Sequence, residues 1–156
     1  MKPQQPQRPI TKRVSGGSPW EDVVGYSRAV RVGQIVHVAG TTATLHGEVQ
    51  CVGDAAGQTR VILNIIQAAL ESLGGRMQDV VRTRIYVTDI GQWEAVGRAH
   101  GEVFANIRPA ASMVQVAALI DPDHLVEIEA EAILPLPSVD SASVDSGMNT
   151  EMDFAK

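Results

Sequence analysis

Apolar and polar positions alternate along this chain with two periods, near two and near 3.6, and the switches between them mark its elements. Tyr26 to Val32 and Ile35 to Gly40 are short β-prone runs. Between them Gly33-Gln34 has the Gly-X form of a two-residue type II′ hairpin turn. Thr41 to Gly53 is polar and glycine-containing, a loop, and Asp54 suits the N-cap of a helix. Val61, Ile62, Ile65, Ile66, Ala69, Leu70 and Leu73 then form one apolar stripe at helical spacing, which Gly74-Gly75 can end.

Asp79 to Thr88 returns to alternation, with Val81, Ile85 and Val87 on one side and Arg82, Arg84 and Tyr86 on the other. Asp89 and Gln92 have capping-box spacing before a second stripe of Trp93, Val96, His100, Val103, Phe104 and Ile107, and Arg108-Pro109 stops it. Two last strands, Ser112 to Ile120 and Leu125 to Leu134, flank an Asp-Pro-Asp turn. The order β-β-α-β-α-β-β predicts an α+β domain of two layers, a mixed sheet with both helices on one face. Val36, Val38, Val81, Ile85, Val114, Val116, Val126 and Ile128 are the strand residues expected to meet the helices. The other face would show His37, Arg82, Arg84, Gln115, Glu127, Glu129 and Glu131 among apolar Met113, Leu119 and Ile133. A face so mixed predicts burial against further copies in a closed homo-oligomer.

Composition narrows the chemistry. The 156 residues are 44% hydrophobic and 20% charged, the balance of one globular domain. Residues 1–18 are basic and proline-rich and residues 137–156 are acidic and serine-rich, so both read as flexible tails around a single domain at 19–136. That domain holds eight arginines against fourteen acids, a net charge of −6, and no lysine. Schiff-base and phosphate-loop lysine chemistry are thereby excluded from it. The acidic balance and five aromatic residues argue against a nucleic-acid surface. No apolar run is long enough for a membrane span and no signal peptide is evident, so a soluble, cytoplasmic protein is expected. One cysteine, Cys51, rules out an internal disulfide and any zinc site built on several thiolates.

Several strings then coincide in order: Gly25-Tyr26-Ser27, Val38-Ala39-Gly40, Arg84-Ile85-Tyr86-Val87-Thr88-Asp89, Arg108-Pro109-Ala110 and Glu127-Ile128-Glu129-Ala130. Over residues 20 to 135 the chain resembles the Rid family, also called the YjgF or L-PSP family. The resemblance implies a chorismate-mutase-like α+β fold, a homotrimer whose sheets line the interior, and clefts between subunits. It also implies metal-free and cofactor-free hydrolysis of reactive enamines and imines, such as 2-aminoacrylate, to a keto acid and ammonia. Glu127 matches the glutamate that holds the attacking water, and Tyr26 the pocket tyrosine. The carboxylate-binding arginine of the family is replaced by Ala111, and the cysteine two positions on by Met113. Alanine offers none of the paired charge-assisted hydrogen bonds of a guanidinium.

The substrate-binding set expected is Tyr26, Gly40, Ala111, Met113 and Val114 from this comparison, with Arg84 added from its place on the predicted polar face. Backbone groups near Gly40 and Val114 would donate or accept hydrogen bonds, and Met113 would be a soft apolar wall. Imine hydrolysis needs an anchored substrate, a proton source and a water held by a carboxylate, here Glu127. Alone on its strand, Glu127 also reads as one of three glutamates on a wet face with cross-strand arginine partners. Arg84, Arg82 and Arg28 are candidates to replace the anion clamp, or partners of the glutamate row. Arg108 is a further candidate, or a cap for helix carbonyls. His100 with Glu102 has the His-x-Glu form of zinc deaminases, which also require cysteines this chain lacks. His37, His46 and His124 have no ligand spacing, so no metal is expected. The functional expectation is an imine or enamine deaminase. A non-catalytic metabolite-binding protein is the alternative, and an endoribonuclease fits the acidic domain poorly.

Overall fold

The computed structural model describes residues 9–136. Its elements in chain order are β1 (Thr11–Val14), α1 (Trp20–Val24), β2 (Ala29–Val32), β3 (Ile35–Thr42), β4 (Thr44–Leu45), β5 (Glu48–Val49), α2 (Ala55–Ser72), β6 (Val80–Val87), α3 (Trp93–Phe104), β7 (Ala110–Gln115) and β8 (Val126–Ile133). Six strands form one sheet in the order β1-β2-β3-β8-β6-β7, and β4 and β5 form a separate small hairpin. Only β6 and β7 run parallel, so the sheet is mixed. Helices α2 and α3 pack on each other, with α2 against β3 and β8, so they share one face of the sheet. This is the two-layer α+β architecture expected from the sequence.

Local chemistry explains the elements. Gly33 takes φ 61° while Gln34 stays outside the left-handed region, the signature of a type II′ turn, and the turn pairs Val32 with Ile35. Asp54 caps α2 by accepting the Gly57 N–H at 2.9 Å. At the other end, Gly75 N–H bonds Leu70 O and Gly74 N–H bonds Glu71 O, with Gly74 at φ 83°, a complete Schellman motif. Arg31 reinforces that end by donating to Leu73 O at 2.7 Å, a cation at the negative pole of the helix. Ile62, Leu63, Ile66 and Leu70 of α2 are fully buried against Val36, Val87, Val126 and Ile128. Side chains of this size contribute about 1.5–3 kcal/mol each when removed from water.

Four expectations need correction. Residues 11–14, assigned to a tail, form edge strand β1 on β2, and residues 20–24 form the short helix α1, ended by Gly25 at φ 79°. The rest of the proposed tails, residues 1–8 and 137–156, lies outside the described residues. The loop at 41–53 contains the β4–β5 hairpin. Val81 is 42% exposed, because a bulge between Val80 and Arg82 shifts the phase of β6, so Val80, Thr83, Ile85 and Val87 face the helices instead. Strand β7 starts at Ala110, and its register with β6 pairs Met113 with buried Ile85, and Val114 with Tyr86. Met113 and Gln115 are therefore on the helix side and Val114 on the other, the reverse of the predicted phase.

Candidate active site on the uncovered face of the sheet

The face turned away from the helices carries the ionisable residues. Register places His37 beside Glu131 and Glu131 beside Arg82, then Glu129 beside Arg84, then Glu127 between Thr42 and Tyr86. A concavity of about 440 Å³ opens here, lined among others by Arg13, Tyr26, His37, Arg84, Glu129 and Glu131. Arg84 reaches it with its guanidinium already engaged, 2.7 Å from Glu131 Oε1 and 3.5 Å from Glu129 Oε2. Those carboxylates hold Arg84 more firmly protonated than usual, mainly through the Glu131 hydrogen bond, which lowers the Glu131 pKa in turn.

One end of this concavity adjoins a second feature, built on a strand irregularity. In β3 the pairing to β8 slips between Val38 and Thr41, leaving Ala39 and Gly40 in a bulge. The Gly40 carbonyl accepts a hydrogen bond from Arg28 Nη2 at 2.5 Å, and Ala39 N–H donates to Arg28 O at 3.0 Å. Arg28 is thus tied to the bulge by both backbone and side chain. On the same residue, a Cβ built at Gly40 would collide with Glu127 Oε1 and stand 3.0 Å from its Cδ. Only glycine lets the Glu127 carboxyl lie this close to the β3 backbone.

The electrostatics follow from that packing. Burial raises the Glu127 pKa, Glu129 raises it further, and Arg28 opposes both. Burial also lowers the Arg28 pKa, against the attraction of Tyr26, Glu21 and Glu127. The Arg28 guanidinium stands 6.0 Å from the Tyr26 ring centroid, at the outer limit of a cation–π contact. Tyr86, across from Glu127, has its pKa raised by burial and by the carboxylates near it. A half-buried carboxyl whose pKa burial raises, near a guanidinium and across from the Tyr86 phenol, is suited to exchanging protons with a bound molecule.

Placement of the residues singled out from sequence is uneven. Gly40 and Glu127 come together, Arg28 joins them at the Gly40 carbonyl, and Tyr26 lies beyond Arg28. Arg84 lies along the same face, inside the glutamate row. Val114 faces the same side from edge strand β7, 48% exposed beside Tyr86. Ala111 pairs with buried Thr83 and so lies, with Met113, on the helix side of β7. Arg108 is exposed with φ 56°, at the end of the turn after α3. Sequence reasoning missed Arg13, which reaches the concavity from β1; its signal was the alternation Thr-Lys-Arg-Val.

His100 and His124 have structural partners. His100 Nε2 is 3.0 Å from Thr83 Oγ1, and the ring lies 4.5 Å from that of Phe104. His124 Nε2 is 2.7 Å from Thr44 Oγ1. Burial lowers both pKa values, which keeps the rings neutral. Among the described residues no three His, Cys, Asp or Glu side chains converge as a metal site requires, and no helix is long and apolar enough to cross a membrane.

Fold and site together define a small α+β domain that carries a cluster of ionisable residues on the uncovered face of its sheet. The chain belongs to the family described as Endoribonuclease L-PSP, the YjgF or Rid family, whose model matches residues 18–134. A crystal structure of a Mycobacterium tuberculosis member of the YjgF/YER057c/UK114 family is 52% identical, superposes with a TM-score of 0.73, and is matched over 80% of this chain and 100% of that one. An uncharacterised protein of Streptomyces coelicolor is 41% identical over 125 residues, 78% of this chain and 90% of its own length. A 3-aminoacrylate deaminase, RutC, of Acinetobacter baylyi is 37% identical over 108 residues, 69% of this chain and 85% of its own.

Proposed function

We propose that this protein is a metal-free hydrolase of reactive imines or enamines, releasing a carbonyl compound and ammonia. The observation that carries the reading is the Glu127 carboxyl, seated against Gly40 and biased by burial toward holding a proton. As a carboxylate it orients a water toward the C=N carbon and accepts a proton as the C–O bond forms. As an acid it returns that proton to nitrogen, giving the carbinolamine, and it then relays the carbinolamine hydroxyl proton to nitrogen as the C–N bond breaks, so that a carbonyl compound and ammonia leave. Tyr26 and Tyr86 flank the reacting group. The deaminase activity named for the Acinetobacter relative supports the same reaction class.

The working unit is a cytoplasmic homotrimer, in which a neighbouring subunit closes the open side of the concavity. The exposed apolar side chains Val32, Ile35 and Ile133, adjacent on the uncovered face, support such a contact. The partner is a small metabolite, and the net charge of −6 in residues 19–136 disfavours RNA.

The test is ammonia release from imines generated in situ by an amino-acid oxidase, with the same imines in buffer as reference. The expected result is acceleration by the protein, lowered on the order of 10²-fold or more in Glu127→Gln. No acceleration across a broad imine panel, with ligand-induced thermal shifts retained, would assign the site to binding without turnover.

A further inference from the structure

We propose that Arg84 is a positioning residue for Glu127. By dividing one guanidinium nitrogen between Glu131 and Glu129, it fixes how much negative charge Glu129 turns toward Glu127, and through that charge it governs proton transfer at Glu127. The inference rests on the imine-hydrolase reading for its part in turnover, and it holds for proton binding at Glu127 with or without turnover.

Strand geometry sets up the row. Glu127, Glu129 and Glu131 take alternate positions of β8, so their side chains leave one face with Cα atoms about 7 Å apart from each to the next. Across β6 the register sets Tyr86 opposite Glu127, Arg84 opposite Glu129 and Arg82 opposite Glu131. Arg84 does not bond most closely to the residue it faces. Its Nη1 lies 2.7 Å from Glu131 Oε1, along the diagonal, and 3.5 Å from Glu129 Oε2. Glu131 has two further basic neighbours in register, Arg82 on β6 and His37 on β3. Among the described residues, Arg84 is the one ion-pair partner of Glu129, at the longer of its two distances.

The row is therefore compensated unevenly, and Glu129 keeps most of its charge. That charge is felt on both sides: after burial, it is the largest influence raising the pKa of Glu127 and that of the Tyr86 phenol. Few other groups face Glu127. From β3 come Gly40 and Thr42, which do not titrate, and from β6 comes Tyr86. The segment before β2 brings Arg28, which opposes the rise, with Tyr26 beyond it. Arg84 pairs with Glu129 and Glu131 and not with Glu127, so its influence on Glu127 passes through Glu129. A carboxyl beside a second carboxylate holds its proton harder, and a guanidinium drawn onto that second carboxylate reverses the effect.

Three substitutions in the whole protein distinguish this from a structural role, because their signs differ. The readout is titration of the Glu127 carboxyl by carbon-13 NMR of glutamate-labelled protein, its signal identified by loss in Glu127→Gln. Glu129→Gln removes the neighbouring charge and should lower the midpoint. Glu131→Gln leaves Arg84 to Glu129 alone and should lower it too. Arg84→Met strips Glu129 of its counter-charge and should raise it, with Arg84→Lys falling between methionine and wild type. Each shift should be on the order of half a pH unit, the effect of one charge at about 7 Å across a water-wetted face. Where an imine is hydrolysed, the ascending limb of kcat/KM should move in the same directions. Midpoints that stay fixed overturn the proposal. So does a common direction in all three, which general loosening of the row would give. Should Arg84→Met fail to fold, an unmoved midpoint in Glu131→Gln is enough to overturn the role of Arg84. A wild type that hydrolyses no imine removes the hydrolase reading alone, since the titration does not depend on turnover.

Discussion

At Glu127, burial and the neighbouring Glu129 both favour the protonated carboxyl, while Arg28 favours the carboxylate. The net effect is a folded-state pKa above the ordinary glutamate value. A group with this sign contributes its full share of stability below its unfolded pKa, and that share is lost as pH rises through the folded pKa. Glu127→Gln should therefore melt a few degrees above the wild type at pH 7, with the difference shrinking toward pH 4; scanning calorimetry at the two pH values measures it. A variant less stable than wild type at pH 7 would contradict a destabilising carboxylate. The same displacement sets the activity profile. The ascending limb of kcat/KM should lie above the usual carboxylate range, because the water-holding form is the deprotonated one, and it should vanish in Glu127→Gln.

Among the elements, β3 decides whether the site exists. Its bulge leaves Gly40 without a β8 partner and brings Arg28 and Glu127 to one residue. In Gly40→Ala the new Cβ meets the end of a flexible side chain, so the fold should survive while the carboxyl moves. We expect circular dichroism and Tm close to wild type with kcat/KM lowered on the order of 100-fold, since displacements of about 1 Å carry costs of that size. Full activity in this variant would place the chemistry elsewhere. The two bulges also explain which parts of the fold were legible beforehand. The α2 stripe, the Asp54 cap, the Gly33-Gln34 turn and the Asp-Pro-Asp turn are local signals, and each appears where its residues stand. Strict alternation misassigned Val81, since an extra residue in a strand inverts the phase on one side of it. It also misassigned Val114, because β7 is an edge strand with apolar residues in both phases. The β1 strand is four residues with two basic side chains, a composition that protects an edge and imitates a tail. Within the site, Glu127 and Tyr26 were readable through the family motifs. Arg28 was legible only as one of several candidate arginines, because its relation to Glu127 passes through a bulge that no periodicity announces.

For the whole molecule, the uncovered face divides into a charged part and an apolar part. Val32, Ile35 and Ile133 sit side by side in register at 37%, 47% and 53% exposure, and Ile133 continues β8 one outward position beyond Glu131. If this strip is where subunits meet, Ile35→Glu buries an unpaired charge at the contact, and equilibrium sedimentation should show the trimer giving way to monomer. Activity should fall with the trimer if a neighbour closes the concavity. A variant that keeps the wild-type mass would remove the strip from the interface.

The slipped register of β3 has a further consequence, for insertions and deletions. Val36 and Val38 face the core before the bulge, Thr41 and Ala43 after it, so even-numbered positions are inward on one side of Ala39-Gly40 and odd-numbered positions on the other. The strand is two half-strands in opposite phase joined at one extra residue. Removing that single residue would let β3 pair with β8 without a slip, keeping Thr41 opposite Ile128 and facing the core, yet it would dissolve the Gly40 junction that Arg28 and Glu127 share. A change of length at this junction therefore removes the site while sparing the fold, the reverse of a change of length in the middle of a regular strand, which would turn one face of the strand to the other side.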